Sequence, residues 1–213
     1  MLRKKIFEGL AHCTLEPVLG TEQWYSCIES PLTFYQASEM FRNEGEYQGT
    51  MCSLLHFPDG KKHCPLTIEK NRYIAPPVYD EGKLAFLAAD FERKKFQILY
   101  YQPEKQKLTL LAEVTLDIQQ EYTNLSLKTR PLLLGYKPKE DSYRVIWPET
   151  CEIPIEKNEV FMFRDLDNLY FQKDATSKEP SCVLIRDLHT GQIKNRMTGK
   201  MYPMPDGRFW VFS

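Results

Sequence analysis

The chain has 213 residues, and its hydrophobic fraction of 42% and charged fraction of 27% are typical of a globular protein. Its 28 basic and 29 acidic side chains give a net charge of −1, which argues against a general nucleic-acid-binding protein. No stretch approaches the ~18 consecutive apolar residues of a membrane-spanning helix, and the apolar run after the basic start is too short for a secretory signal. We therefore expect a cytoplasmic protein that binds neither nucleic acid nor membrane.

The first elements of the chain are predicted to be two short strands, within residues 5–17 and 22–28. Residues 31–43 follow and carry signals of a short helix, because Ser30 suits the N-cap, Pro31 suits the first helical position and Gly45 lies just past the end. The same segment begins LTFYQA, a composition that also suits a strand. Helix and strand therefore both remain open here.

Most of the chain after residue 80 alternates short runs of branched and aromatic apolar residues with tight polar turns. This pattern predicts consecutive antiparallel strands in an all-β fold. Three meanders are expected in succession. Their predicted strands are residues 83–91, 96–102 and 108–116, then 131–136, 143–147 and 152–155, and finally 160–163, 169–172, 182–187 and 192–197.

The turns that follow strongly apolar strands recur at a nearly constant spacing of about 40–45 residues, which is the length of a β-propeller blade. These turns lie near Gly60, Glu104, Glu149 and Thr190. One more interval counted backwards reaches residues 18–20, where the sequence again reads strand, turn, strand. The spacing therefore predicts an array of about five blades.

An internal repeat supports this periodicity. Residues 64–71 read CPLTIEKN, and residues 151–158 read CEIPIEKN. The two copies lie about two blade periods apart, and each follows a predicted hairpin. We interpret both copies as connectors from the outermost strand of one blade to the innermost strand of the next, not as a binding motif.

With its regular meanders, the chain resembles a small β-propeller that has about five blades, although its sequence matches no specific functional family. The resemblance implies a single domain over residues 1–213. It also implies that the N-terminal strands, residues 5–28, complete the C-terminal blade at residues 200–213, because a closed ring leaves no strand edge exposed.

The six cysteines show no C-x-x-C spacing, and each lies in an apolar context. We therefore favour buried free thiols over disulfides, with a reactive nucleophile the least favoured alternative. The cysteines are Cys13, Cys27, Cys52, Cys64, Cys151 and Cys182.

No motif for phosphate binding, dinucleotide binding or serine hydrolysis occurs in the sequence. His56 and His63 flank one predicted hairpin near Cys52 and Cys64, an arrangement from which a metal site could be built, but cross-strand packing of these residues is the more common outcome. We therefore expect neither a metal nor a cofactor.

These observations favour a non-enzymatic module that binds a protein or a small molecule. The alternative is a propeller-fold enzyme that acts on carbohydrate through carboxylates on inner strands. Its candidate acids are Asp80 and Asp165, with Arg130 or Arg164 as the electrostatic partner. Several tyrosines could line a binding face, because tyrosine suits both protein interfaces and sugar stacking. These are Tyr73, Tyr79, Tyr100, Tyr101 and Tyr136.

Overall fold

The fold is mostly β and is arranged as a β-propeller of four blades. The chain divides into two compact units, Met1–Ile118 and Gln119–Ser213. Each unit contains two large antiparallel sheets, and the second unit has a two-stranded hairpin as well. The computed structural model describes residues 6–7, 10, 13–29, 32–177 and 179–213.

The first sheet begins near the N-terminus and contains the helix as an insertion. Its elements are β1 Thr14–Pro17, β2 Trp24–Glu29, α1 Phe34–Glu44, β3 Met51–His56 and β4 Lys61–Leu66. The strands pair in the order β1–β2–β3–β4, so strands that are consecutive in sequence are also neighbours. All four residues of β1 are exposed, whereas β2 and β3 are largely buried because each has a neighbour on both sides.

The second sheet completes the first unit. Its elements are β5 Arg72–Ile74, β6 Val78–Asp80, β7 Lys83–Asp90, β8 Lys95–Gln102, a short 3-10 helix Pro103–Lys105 and β9 Lys107–Thr115. β7 pairs with β5, β6 and β8, and β8 pairs with β9. The interior six residues of β7 are all buried, as its sequence KLAFLAAD predicts for a central strand. The predicted meander over residues 83–116 is confirmed.

The second unit repeats this plan. Its third and fourth sheets contain β10 Thr123–Lys128, β11 Leu133–Lys139, β12 Ser142–Trp147 and β13 Cys151–Pro154, then β14 Glu159–Asp165, β15 Asn168–Lys173, β16 Cys182–Asp187 and β17 Ile193–Thr198. The hairpin consists of β18 Lys200–Pro203 and β19 Phe209–Phe212. The two later meanders are thereby confirmed, and β10 is a strand that the sequence pattern did not reveal.

The predicted number of blades is wrong, and the turns explain the error. The four spaced turns each join the third and fourth strands of one sheet. Residues 18–20, which we counted as a fifth such turn, instead join β1 and β2 of the first sheet. The residues that would make up the length of a fifth blade instead form α1 and the β18–β19 hairpin, and neither of these belongs to the regular repeat.

The segment that could have been helix or strand is the helix α1. Its N-cap is Thr33, whose hydroxyl accepts a hydrogen bond from the backbone N–H of Gln36, and the Gln36 side chain accepts one from the backbone N–H of Thr33. This capping box satisfies donors that the first helical turn leaves unpaired. Gly45 ends the helix in the left-handed region at φ 71°, as predicted. The predicted start of the helix at Ser30 and Pro31 is wrong, because the capping box places the N-cap at Thr33; residues 30 and 31 themselves lie outside the described residues.

Both copies of the repeated motif are connectors between sheets, as predicted. The first copy leads from β4 to β5 and the second from β13 to β14. Their surroundings differ, because Asn71 of the first copy is buried whereas Asn158 of the second is exposed. The Asn71 side chain accepts a hydrogen bond from the Tyr47 backbone N–H at 2.6 Å and donates one to Glu92 at 2.8 Å.

The preference for free thiols at all six cysteines is wrong for one pair. Cys13 and Cys27 form a disulfide, with their Cα atoms 5.6 Å apart. Antiparallel pairing of β1 with β2 brings Cys13, which directly precedes β1, close to Cys27 in β2. Cys52 and Cys182 are buried free thiols as expected, whereas Cys64 is exposed and Cys151 is half-buried.

Two further expectations concern the chain as a whole. β1 and β2 pair with β3 within the first unit, and β18 pairs with β19 within the second. Closure of the C-terminal blade by the N-terminal strands, and the single domain that it implies, stay predictions. Among the described residues, no helix is long and apolar enough to cross a membrane. The cytoplasmic location also stays a prediction.

Candidate functional site

The first predicted acid, Asp80, is engaged within the first unit. It lies at the end of β6, is 7% exposed, and accepts a hydrogen bond from the Tyr100 hydroxyl. The Lys83 ammonium lies 4.7 Å from the centroid of the Tyr100 ring. Burial and the Asp80 contact both raise the pKa of Tyr100, so its hydroxyl stays protonated at neutral pH. Asp80 therefore links β6 to β8, the strand on the other side of β7, since Tyr100 belongs to β8.

The other predicted catalytic residues lie in the second unit. Asp165 is exposed at the end of β14. Arg164 donates from Nε to the Leu166 carbonyl at 2.5 Å, and its Nη2 atom lies 3.9 Å from Asp167. Arg130 is exposed in the segment between β10 and β11. Arg164 is therefore engaged with its own turn, and the carbohydrate-active alternative stays a prediction.

The histidines of the β3–β4 hairpin form a packed cluster. His56 Nδ1 lies 2.9 Å from Asp59, and His63 Nδ1 lies 2.7 Å from the Tyr101 hydroxyl. The Trp24 ring contacts both imidazoles, at centroid distances of 4.7 and 5.2 Å. Burial lowers the pKa of His63, an effect to which nearby Lys61 adds. These contacts are the cross-strand packing that was favoured over a metal site.

The Cys52 thiol near this hairpin is not an activated nucleophile. Burial, together with the nearby Cys64, raises the pKa of Cys52 to about 12, so its sulfur is protonated at neutral pH. Within the described ranges, no group of three or more histidine, cysteine, aspartate or glutamate side chains could hold a metal ion. The expectation of neither metal nor cofactor stays an expectation.

The five tyrosines do not form one exposed face, because three of them are buried. Tyr73, Tyr101 and Tyr136 are buried, while Tyr79 and Tyr100 are half-buried. Burial of long apolar strands leaves the tyrosine rings in the cores, where they pack against other aromatic rings such as Phe34 beside Tyr73. These tyrosine side chains therefore contribute more to core packing than to an exposed binding face.

A cleft of about 350 Å³ opens in the first unit, and its floor is one face of the β1–β2 hairpin. Antiparallel register places Thr14 opposite Ile28 and Glu16 opposite Ser26, so these four side chains lie on the same face. The Cys13–Cys27 disulfide links the two strands. The lining residues are Thr14, Glu16, Ser26, Ile28, Leu32, Thr33, Tyr73, Ile74 and Pro76.

Four side chains with polar groups in this cleft form no hydrogen bond with another described residue, namely those of Thr14, Glu16, Ser26 and Tyr73. The Glu16 carboxylate is exposed and makes no ion pair or hydrogen bond with any other described residue. Ser26 is only 4% exposed, and no hydrogen bond joins its hydroxyl to another residue in the described part of the chain. The Ser26 hydroxyl oxygen is not fully buried, so it can form a hydrogen bond with a ligand in the cleft.

The remaining walls of the cleft are apolar or neutral. Ile28, Leu32, Ile74 and Pro76 supply aliphatic surface. Burial raises the pKa of Tyr73 to about 12, so its phenol is neutral near physiological pH. The cleft thus combines an apolar body with one negative charge and free hydroxyl groups, which is the usual composition of a small-molecule site.

Sequence reasoning missed this cleft because its residues come from three separate segments. β1 and β2 supply the floor, the residues before α1 supply one wall, and β5 with the following Pro76 supplies another. The available signal was the alternation of Thr14 and Glu16 with Leu15 in a predicted strand, which only indicates one polar face. Nothing in that pattern shows that the face is enclosed.

The β18–β19 hairpin carries a second surface of interest in the other unit. Tyr202, Trp210 and Phe212 lie on one face, and Trp210 is 57% exposed. Gln172 anchors the hairpin, because its side-chain oxygen accepts a hydrogen bond from the Met201 backbone N–H at 2.7 Å.

No family model matches the chain, and no curated protein matches it. Among solved structures, the crystal structure of Porphyromonas gingivalis dipeptidyl peptidase 4 is similar to it, with 12% sequence identity and a TM-score of 0.44. The alignment covers 91% of this chain but 32% of that chain. This chain therefore spans about a third of the length of that protein, and we draw no functional conclusion from the likeness.

Proposed function

We propose that the protein is a non-enzymatic binding module whose ligand is a small molecule held in the β1–β2 cleft. The observation that supports this proposal is a cleft of about 350 Å³ in which the Ser26 hydroxyl has no hydrogen-bond partner among the described residues. That volume lies within the range of about 300–1,000 Å³ found for small-molecule sites. A free polar group within an apolar recess gives orientation to a ligand that the apolar walls hold.

The groups around the cleft suit binding more than catalysis. Its described lining residues include one carboxylate and several hydroxyls, but no imidazole and no thiol. General acid–base or nucleophilic chemistry ordinarily requires an activated pair of such groups within hydrogen-bond reach. A binding role also agrees with Asp80, the predicted catalytic acid, being engaged by Tyr100.

A fragment screen by ligand-observed NMR tests the proposal. Ser26→Leu adds apolar bulk inside the cleft, and we expect it to weaken every fragment that binds there by at least about tenfold, or ~1.4 kcal/mol. Since Ser26 is buried, a second variant, Thr14→Leu, fills the cleft from an exposed position of β1.

Thr109→Leu is the matched control for Thr14→Leu. Thr109 is also exposed and lies in a strand of the first unit, β9, but it does not line the cleft. We expect this variant to bind fragments as the original protein does. Binding that survives both cleft variants, or a screen that yields no fragment for the original protein, would show that the cleft is not the ligand site.

A further inference from the structure

The electrostatic character of the β1–β2 cleft comes from one residue. Glu16 is the only charged residue among the described residues that line it, and no described Lys, Arg or His side chain pairs with its carboxylate. Some acidic side chains of the first unit have cationic partners, as Glu46 does with Lys70 and Glu69 with Arg72, whereas Glu16 has none within the described ranges. An unneutralised carboxylate at a partly enclosed surface attracts a positive charge more strongly than one in open solvent.

Two other groups favour a cation next to this carboxylate. The free Ser26 hydroxyl lies on the strand position directly opposite Glu16, and its oxygen can accept a hydrogen bond from an ammonium N–H. The Tyr73 side chain also lines the cleft, and aromatic rings attract cations. Because the Tyr73 phenol is neutral at physiological pH, it adds no competing charge.

The rest of the cleft requires an apolar body on the same ligand. Ile28, Leu32, Ile74 and Pro76 offer only aliphatic contacts. A bare metal ion or a small inorganic cation would leave this surface in contact with water, and it would find too few oxygen ligands here. An anionic ligand would be repelled by Glu16.

From this geometry we propose that the ligand is an organic ammonium ion, with its charged group between Glu16 and Ser26 and its apolar body against the aliphatic wall. The inference rests on the proposed function, since it names the ligand class of the same cleft. It adds a prediction that the binding function alone does not make, namely that affinity depends on the positive charge of the ligand.

Three probes of nearly the same shape separate charge from shape: 2-phenylethylammonium, 2-phenylethanol and 3-phenylpropanoate. Affinities are measured by NMR titration of the full chain at low ionic strength. We expect the ammonium probe to bind about fivefold more tightly than the alcohol, as a partly exposed ion pair allows, and the carboxylate probe to bind most weakly. Added salt should reduce the preference, because it screens exposed charges.

Glu16→Gln tests the assigned residue, and Glu22→Gln is its matched control. Glu22 is likewise an exposed glutamate, in the turn between β1 and β2, but it does not line the cleft. The first variant should bind the ammonium and alcohol probes equally well, whereas the second should keep the preference for ammonium.

The outcomes distinguish the inference from the function on which it rests. Equal binding of ammonium and alcohol by the original protein would overturn the inference while leaving a small-molecule site. A preference that persists in Glu16→Gln would also overturn it. Absence of ammonium binding overturns the inference in every case, and it counts against the binding function as well if the fragment screen also fails.

Discussion

Two glutamates show how differently a carboxylate can be placed in this protein. Glu159, at the start of β14 in the second unit, is 1% exposed and forms two hydrogen bonds with the Arg186 guanidinium, at 2.9 Å to Nε and 2.6 Å to Nη2. It also accepts the backbone N–H of Glu156. Glu16, in the first unit, is exposed at a cleft and has no partner among the described residues.

The difference separates a structural role from a binding role. The Glu159 carboxylate is already satisfied by its neighbours, so it has no remaining capacity to hold a ligand, and removing it would leave Arg186 buried without a counter-charge. The Glu16 carboxylate has no such partners among the described residues, so we expect it to contribute little to folding and to remain available to a ligand. Asp80 belongs with Glu159, because the Tyr100 hydroxyl engages it. What distinguishes the candidate site is therefore that its carboxylate has no partner, and not the type of residue that carries the carboxylate.

The largest effect should come from breaking the buried pair. We expect Glu159→Ala to lower the free energy of unfolding by about 3–5 kcal/mol, because the Arg186 charge would stay buried and unpaired. Chemical denaturation measures this loss. Replacing both partners, as Glu159→Leu with Arg186→Met, should restore part of the stability, since no isolated charge then remains.

An exposed ion pair in the same unit is the matched control. Arg144 and Glu152 contact at 2.6 Å, but both side chains are 41% exposed. Glu152→Ala should therefore cost no more than about 1 kcal/mol. A loss in Glu159→Ala as small as that in Glu152→Ala would show that the buried pair has no special structural role.

An intermediate effect is expected from His63, a buried and partnered base. Its folded pKa is lowered by burial, so the unfolded chain, in which histidine titrates near 6.5, binds the proton more readily. The stability that depends on neutral His63 is thus complete above pH 6.5 and is lost as the pH falls below that value. Denaturation of the original protein between pH 7.5 and 5 should show this loss.

The variant His63→Gln tests that assignment through the slope of stability against pH, which is independent of any general loss of packing. Glutamine cannot titrate, so the slope below pH 6.5 should become shallower than in the original protein. Equal slopes would contradict the role of His63.

The smallest effect on stability should follow from changing the unpartnered carboxylate. Glu16→Gln and Glu22→Gln both remove one exposed negative charge near the same hairpin, and each should change the free energy of unfolding by no more than about 0.5 kcal/mol. The comparison between Glu159 and Glu16 would fail if Glu16→Gln destabilised the chain by several kcal/mol, because Glu16 would then have a structural partner.

The sequence predicts much of the architecture because strand periodicity and turns are local properties. The strand β7 and the turn near Glu104 follow directly from an apolar run and a polar segment with proline. The number of blades does not, because a fixed period cannot distinguish the β1–β2 turn from the turns between third and fourth strands. The inserted α1 added length that the period assigned to a blade.

The repeated motif shows a similar limit. Both copies connect adjacent sheets, as the periodicity predicts, yet Asn71 is buried and Asn158 is exposed. What differs is the tertiary surroundings: the chain near Tyr47 covers the first copy, and its backbone donates to Asn71. A short motif predicts the local turn, but not which of its polar groups the rest of the chain will bury.

The candidate site is predicted least well. We considered Asp80, Asp165 and the histidine hairpin as candidates because enzymes and metal sites commonly use carboxylate and imidazole groups. The cleft depends instead on the register between β1 and β2 and on their distance from β5, which are long-range features. Sequence alone cannot show that Glu16 and Ser26 lack partners, because that requires every neighbouring side chain to be placed.

The most direct test of the account is a map of where the ligand binds. Uniformly ¹⁵N-labelled full-length chain would be titrated separately with 2-phenylethylammonium and 2-phenylethanol while backbone amide shifts are recorded. We predict that the largest changes fall on cleft residues such as Ser26, Ile28 and Ile74. Largest changes on the aromatic face of β18–β19, at Tyr202, Trp210 and Phe212, or no changes at all, would contradict the assignment of the cleft as the binding site.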